Sequence, residues 1–251
     1  MLKTRVMPTL LYRDVELVKG VAFDSWRRVG SAMQAVKVYN LREVDELVFL
    51  DITATRAGRS PDLDLIDELA DECFMPLTVG GGVRTVDDVR GLLQVGADKV
   101  AINTAAVESP ELISQVAARF GSQCVVVSID ARKTARGYEV FTRSGTHETG
   151  LDPIALACRA QSLGAGEILL TSIDRDGTMS GYDLELTRMV SDAVTVPVIA
   201  SGGAGSFEHM AAALREGKAS AVAAASIFHF TQMTPLEAKR SLGGEGFPVR
   251  L

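Results

Sequence analysis

Cysteine is scarce in this chain. Its three copies, Cys73, Cys124 and Cys158, lie far apart and form no C-x-x-C pair. That argues against a disulfide framework and a cysteine-rich zinc site. Two of the three fall in apolar or helical stretches, so buried free thiols and a reducing cytoplasm are predicted. Histidine is equally sparse at three residues, with no H-x-x-x-H spacing and no acid and cysteine beside it. No metal site and no cofactor are therefore predicted. No apolar run at the N-terminus has the length of a signal or an anchor. There is no long basic run, and the net charge is −6, which disfavours nucleic acid and acidic membranes as partners. No low-complexity linker divides the chain, so one domain over residues 1–251 is expected.

What is present is an apolar fraction of 47% and 23 glycines, many in short turn-like clusters. Continuous apolar runs occur at 5–10, 46–52, 76–80, 98–103, 124–130, 167–173, 197–201 and 220–226. Runs without alternation suit strands covered on both faces. Amphipathic stretches lie between them, for example at 61–73, 86–96, 110–121 and 183–194, several opened by Pro or Asp and closed by Gly. Eight such units in 251 residues predict an α/β fold, a (βα)8 TIM barrel.

The units also repeat. "PLTVGGGVR" (76–84) is similar to "PVIASGGAG" (197–205), and "GADKVAINTAAV" (96–107) to "GKASAVAAASIF" (217–228), both at an offset of 121. The barrel thus reads as two related halves. A two-residue adjustment sets Leu11 opposite Asp130, so one half carries an isobutyl group where the other carries a carboxylate.

Chemistry in such barrels sits on the loops after the strands. Glycines at 80–82 and 202–203 let backbone amides approach an anion. The stretches "INTAA" (102–106) and "AASIF" (224–228) add small polar side chains beside each cluster. Two symmetric cups imply a ligand with a phosphate at each end; tight βα turns are the simpler alternative for either cluster alone. Asp51, Asp130 and Asp176 lie near strand ends and suit acid/base work or hydroxyl binding, although Asp174 or Asp176 could equally cap a following helix. Lys19 is placed on a long loop after the first strand, and Trp26 on the same loop is either a lid anchor or a packing residue. Arg5, Glu46, Lys99 and Glu167 all stand where strands begin. From position alone they read as solvated strand starts; turned inward, they would have to pair, because unpaired buried charge is too costly.

The stretches "DELVFLDITA", "PLTVGGGVR", "GADKVAIN", "GAGEILLTSIDRDGT", "GYDLELTR", "PVIASGGAG" and "FHF", spread over nearly the whole chain, resemble the HisF family, the cyclase subunit of imidazole glycerol phosphate synthase. The resemblance implies a barrel that docks a HisH-type glutaminase. It also implies that ammonia passes through the barrel to a bis-phosphate ligand at the far mouth. By position, Gly82, Asn103 and Thr104 match one phosphate site, and Asp176, Gly177, Gly203 and Ser226 the other. Asp130 matches a catalytic aspartate and Lys19 the mobile-loop lysine. Arg5, Glu46, Lys99 and Glu167 match an ammonia gate, which reverses the solvated reading of those four. Asp98 and Gln123 match partner-facing positions.

The departures are local. The family's Cys-Leu-Asp at the end of the first strand is Thr9-Leu10-Leu11 here, its Gly-Asp-Pro is Gly30-Ser31-Ala32, and an Asn is replaced by Ala22. Leucine cannot relay a proton, and losing an acid/base group costs on the order of 10²–10⁴ in rate. Tyr12 cannot substitute, with a phenol near ~10 and an orientation to the other side of the strand. The expectation is a divergent subunit that channels ammonia to another acceptor; its "PTLL" strand resembles that of HisF-like paralogs, which implies an acetamidino sugar for surface polysaccharide made by a third, amidotransferase component. The alternatives are a working histidine-pathway cyclase and, behind it, a related phosphosugar isomerase.

Overall fold

The computed structural model describes residues 3–251; the first two residues of the expected 1–251 domain lie outside the described residues. In chain order the strands are β1 (Arg5–Arg13), β2 (Glu16–Val21), β3 (Asp24–Gly30), β4 (Leu47–Asp51), β5 (Leu77–Gly80), β6 (Lys99–Ile102), β7 (Val125–Thr134), β8 (Gly137–Thr142), β9 (His147–Glu148), β10 (Glu167–Ser172), β11 (Val198–Ser201) and β12 (Ala221–Ala224). The helices are α1 (Ala32–Leu41), α2 (Leu63–Asp71), α3 (Val86–Gln94), α4 (Thr104–Glu108), α5 (Glu111–Phe120), α6 (Pro153–Ser162), α7 (Leu184–Ala193), α8 (Phe207–Arg215), α9 (Ser226–Phe230) and α10 (Pro235–Gly244). Eight parallel strands close in the order β1-β4-β5-β6-β7-β10-β11-β12, and β12 returns to β1. This is a (βα)8 barrel.

Local chemistry starts the helices. Asp62, Asp152 and Asp183 cap α2, α6 and α7 by accepting backbone N–H groups. Thr85 with Asp88, and Thr234 with Glu237, form reciprocal capping boxes on α3 and α10. Each cap satisfies donors that a helix end leaves unpaired.

Alternation along the strands makes two cores. Val6, Leu10, Tyr12 and Phe49 belong to the layer between strands and helices. Met7, Val48, Ala101, Val126, Leu169, Ile199, Ala221 and Ala223 fill the barrel interior. On β1, therefore, Met7, Thr9 and Leu11 share the inward face. Tyr12 points outward and packs on Phe49 with ring centroids 5.4 Å apart.

Three expectations need correction. The first strand does not end at residue 10: β1 continues to Arg13 and folds back as the hairpin β2–β3, so Lys19 lies on a strand and not on a loop. β7 likewise runs past Asp130 into β8 and β9. Paired backbone continues because "ELVKGV" and "GYEVFT" each present a buried apolar face. The other strands are one to three residues shorter than their apolar runs. Thirdly, only Cys124 is a buried thiol; Cys73 is half-buried and Cys158 exposed. The buried stripe of α6 is Pro153, Leu156, Ala157 and Ala160, which leaves Cys158 on the opposite side.

Candidate active site

The C-terminal ends of the strands surround one mouth, about 1130 Å³ including its open side. Gly82, Asn103 and Thr104 line it on one side. Gly177, Gly203 and Ser226 line it on the other, with Asp130, Asp176 and Lys19 between them. All nine residues assigned to catalysis or phosphate binding therefore meet in one cleft.

The two Gly clusters take backbone shapes that a side chain would block. Gly82 has φ +74°, and an added Cβ would stand 2.7 Å from the Arg59 carbonyl oxygen; Gly203 has φ +108°, with Gly181 O at 2.2 Å. The Gly82 N–H donates to Thr55 Oγ1 at 3.2 Å. The Thr104 hydroxyl accepts from the Arg143 N–H at 3.1 Å, so the turn after β8 braces that cup. Ser226 is the buried first residue of α9.

Asp130 is buried on β7. Asn103 Nδ2 donates to its Oδ2 at 3.2 Å. Burial, then the nearby Asp176 charge, push its carboxyl up to about 7, against a smaller opposing effect of a hydrogen bond with Thr171. A carboxyl that exchanges its proton near neutrality is suited to general acid/base work. Across the barrel, Leu11 lines the same cleft and is 8% exposed. The structure supports the equivalence drawn from the repeat: Leu11 pairs with Val18 in one hairpin, Asp130 with Phe141 in the other.

Lys19 is 3% exposed. Its Nζ meets Asp176 Oδ2 at 2.5 Å, and the Ala22 N–H donates to the Asp176 carbonyl at 2.8 Å. The hairpin is thus fastened across the mouth to the loop after β10. Trp26, half-buried, lines the cleft and packs over Gly20, while Arg27 stacks on Phe230 at 4.3 Å. Neither Asp174 nor Asp176 caps a helix, since α7 is capped by Asp183. Asp51 is committed to structure: its carboxylate accepts from Thr53 N, Thr53 Oγ1 and Ala54 N, and pairs with Arg59 at 3.3 Å.

At the opposite end the four charged residues meet. Arg5 Nη1 lies 2.7 Å from Glu46 and 3.0 Å from Glu167; Lys99 Nζ lies 2.9 Å and 3.2 Å from the same two carboxylates. Thr78 Oγ1 donates to Glu46 at 2.7 Å. This is a closed ring, not a set of solvated strand starts. Outside it, the exposed Asp98 accepts the Leu77 N–H at 2.8 Å, and the exposed Gln123 donates to the Phe120 carbonyl at 3.1 Å.

Residue spacing did not single out Thr9, Ser128, Thr171 and Ser201, which also line the cleft; small hydroxyls inside apolar runs carry no spacing signal. Among the described residues no cluster of His, Cys, Asp and Glu could hold a metal. Nor is any helix among them long and apolar enough to cross a membrane. Residues 5–234 match the family model described as histidine biosynthesis protein.

Proposed function

We propose that this chain, which belongs to the histidine biosynthesis protein family of HisF- and HisA-like barrels, is an ammonia-channelling subunit working with a HisH-type glutaminase and feeding an acceptor other than the histidine-pathway intermediate. One observation carries the reading: Leu11 occupies the inward mouth position opposite Asp130. A proton relay across the cleft needs an oxygen or nitrogen on each side, and one side is hydrocarbon.

The rest of the interior suits transit. Above the charged ring lie Met7, Val48, Val126, Leu169 and Ile199. That apolar layer tolerates neutral ammonia and penalises ammonium, whose charge would be unpaired. The ring has no spare charge, with two cations shared between two carboxylates, so opening it means exchanging partners. Asp98 and Gln123 on the outer rim face a glutaminase docked there. The mouth keeps two anion cups for a bis-phosphate ligand, and an amidotransferase that builds acetamidino sugars is the acceptor class proposed.

Complementation of a histidine auxotroph tests the reading. Soluble expression without rescue supports it, as does glutaminase stimulation when the partner is added. Rescue, or brisk ring closure by the purified chain with ammonium salts, refutes it. The second reading, a working cyclase of the histidine pathway, draws on Asp130, whose carboxyl near 7 leaves one competent acid/base in place; rescue would establish it.

A further inference from the structure

The hydroxyl of Thr9 is buried without a hydrogen-bond partner among the described residues. Thr142 and Ser191 share that condition, but only Thr9 lines the mouth. Thr9 and Leu11 lie two residues apart on the inward face of β1, where successive inward side chains stand one above the other. Register places Thr9 level with Val48 on β4, and Pro8 level with Ala224 on β12. Thr9 is therefore next to the strand end that leads into Ser226.

The inward residues of the flanking strand ends offer that hydroxyl no polar side chain. Leu11 and Leu50 on one side and Ala223 and Ala225 on the other line the cleft and are apolar. On the opposite side the polar groups are already served: Asn103 Nδ2 donates to both the Ser128 carbonyl and Asp130. The matching residue of the second half-barrel is Ser128, since Thr9 aligns with Val48 as Ser128 aligns with Leu169. His229 Nε2 contacts the Thr9 carbonyl at 3.3 Å, which fixes the backbone and leaves the side chain free. Valine has the same shape and no desolvation cost, so an unpaired threonine is explained by a partner that arrives with a ligand.

We propose that Thr9 is a specificity-determining residue: its hydroxyl hydrogen-bonds a hydroxyl on the carbon chain between the two phosphates, supplying on the β1 side the polar contact that Leu11 cannot make. This rests on the reading of the Gly clusters as phosphate cups, and it makes the ligand a polyol phosphate and not an alkyl one. Two probes separate the terms by titration calorimetry: sedoheptulose 1,7-bisphosphate, and heptane-1,7-diyl bisphosphate, which has the same length and no hydroxyls. Inorganic phosphate tests the cups alone.

The expected result is that Thr9→Val weakens the sugar bisphosphate by roughly 3- to 10-fold, the worth of one neutral hydrogen bond. The alkyl probe should not change, and Thr9→Ser should restore the sugar. Unliganded Thr9→Val should also melt higher than the wild type. Equal loss for both probes would put Thr9 against a phosphate and overturn the proposal. So would no loss for either probe, sugar binding no stronger than alkyl binding, failure of the sugar bisphosphate to bind, or a melting temperature that does not rise. If inorganic phosphate fails to bind, the cup reading falls first and the proposal with it. If phosphate binds and the Thr9 variants behave alike, only the proposal falls.

Discussion

Replacing Asp130 with Asn should make the unliganded protein more stable at alkaline pH and leave it unchanged in acid. In the fold the carboxyl is pushed from 3.8 up to about 7, first by burial and then by Asp176. A group whose folded value is raised contributes its full stability below the unfolded value and loses it as pH climbs through the folded one. Below about pH 3 both states hold the proton, and Asp130 costs nothing. From there to about pH 7 the unfolded chain gives up its proton while the folded protein keeps it, and stability drains away. Each tenfold difference in proton affinity is worth about 1.4 kcal/mol, so the ceiling is about 4 kcal/mol. Relaxation around a charged Asp130 brings the expectation to about 2–4 kcal/mol. Asn keeps the shape and carries no charge, so urea unfolding of the two proteins should coincide at about pH 3 and differ by that amount at about pH 8. A difference independent of pH, or a variant less stable at pH 8, would refute the argument that Asp130 is an ionisable group held in a dry, like-charged setting.

Leu11→Asp should bring cyclase turnover with ammonium salts from undetectable to measurable, a rise on the order of 10²–10⁴, read by imidazole formation; no turnover from a folded variant would mean that more than this side chain is missing. Lys99→Met leaves two largely buried carboxylates sharing Arg5 alone and should cost about 3 kcal/mol in denaturant unfolding, with most of the loss recovered when Glu167→Gln is added. Lys19→Met removes the cation beside Asp176, so that the Asp130 titration, followed by carboxyl NMR, should move to higher pH.

The barrel was legible because strands buried on both faces cannot alternate, and because Asp and Thr caps punctuate the helices between them. The hairpin was not. "ELVKGV" contains a lysine, which ordinarily signals solvent, and the partner that lets Lys19 be buried, Asp176, is 157 residues away. The ring at the other end failed from position alone for the same reason: Arg5, Glu46, Lys99 and Glu167 come from four separate strands, and only closure of the barrel brings them within 3.2 Å. Cys158, by contrast, was readable. The i, i+3, i+4, i+7 stripe of Pro153, Leu156, Ala157 and Ala160 already turns residue 158 outward.

Symmetry explains why one mouth residue can differ while the fold stays intact. Glu46 and Glu167 are separated by 121 residues, the same offset that relates the Gly clusters and that relates Thr55 to Asp176. The bottom ring uses one carboxylate from each half, and losing either leaves two half-buried cations sharing the other. The mouth has no such mutual constraint at position 11. Leu11 sits beside Val18 and level with Leu50, neighbours that accept a hydrocarbon at no cost in packing and would penalise a carboxylate. A leucine there is the locally comfortable residue. The aspartate across from it is the strained one, kept half-neutral by burial and by Asp176. A buried carboxylate at the mouth is therefore carried against local packing preference, whereas the charged ring is enforced by mutual pairing, which is why a mouth residue can differ while the ring beneath it stays the same.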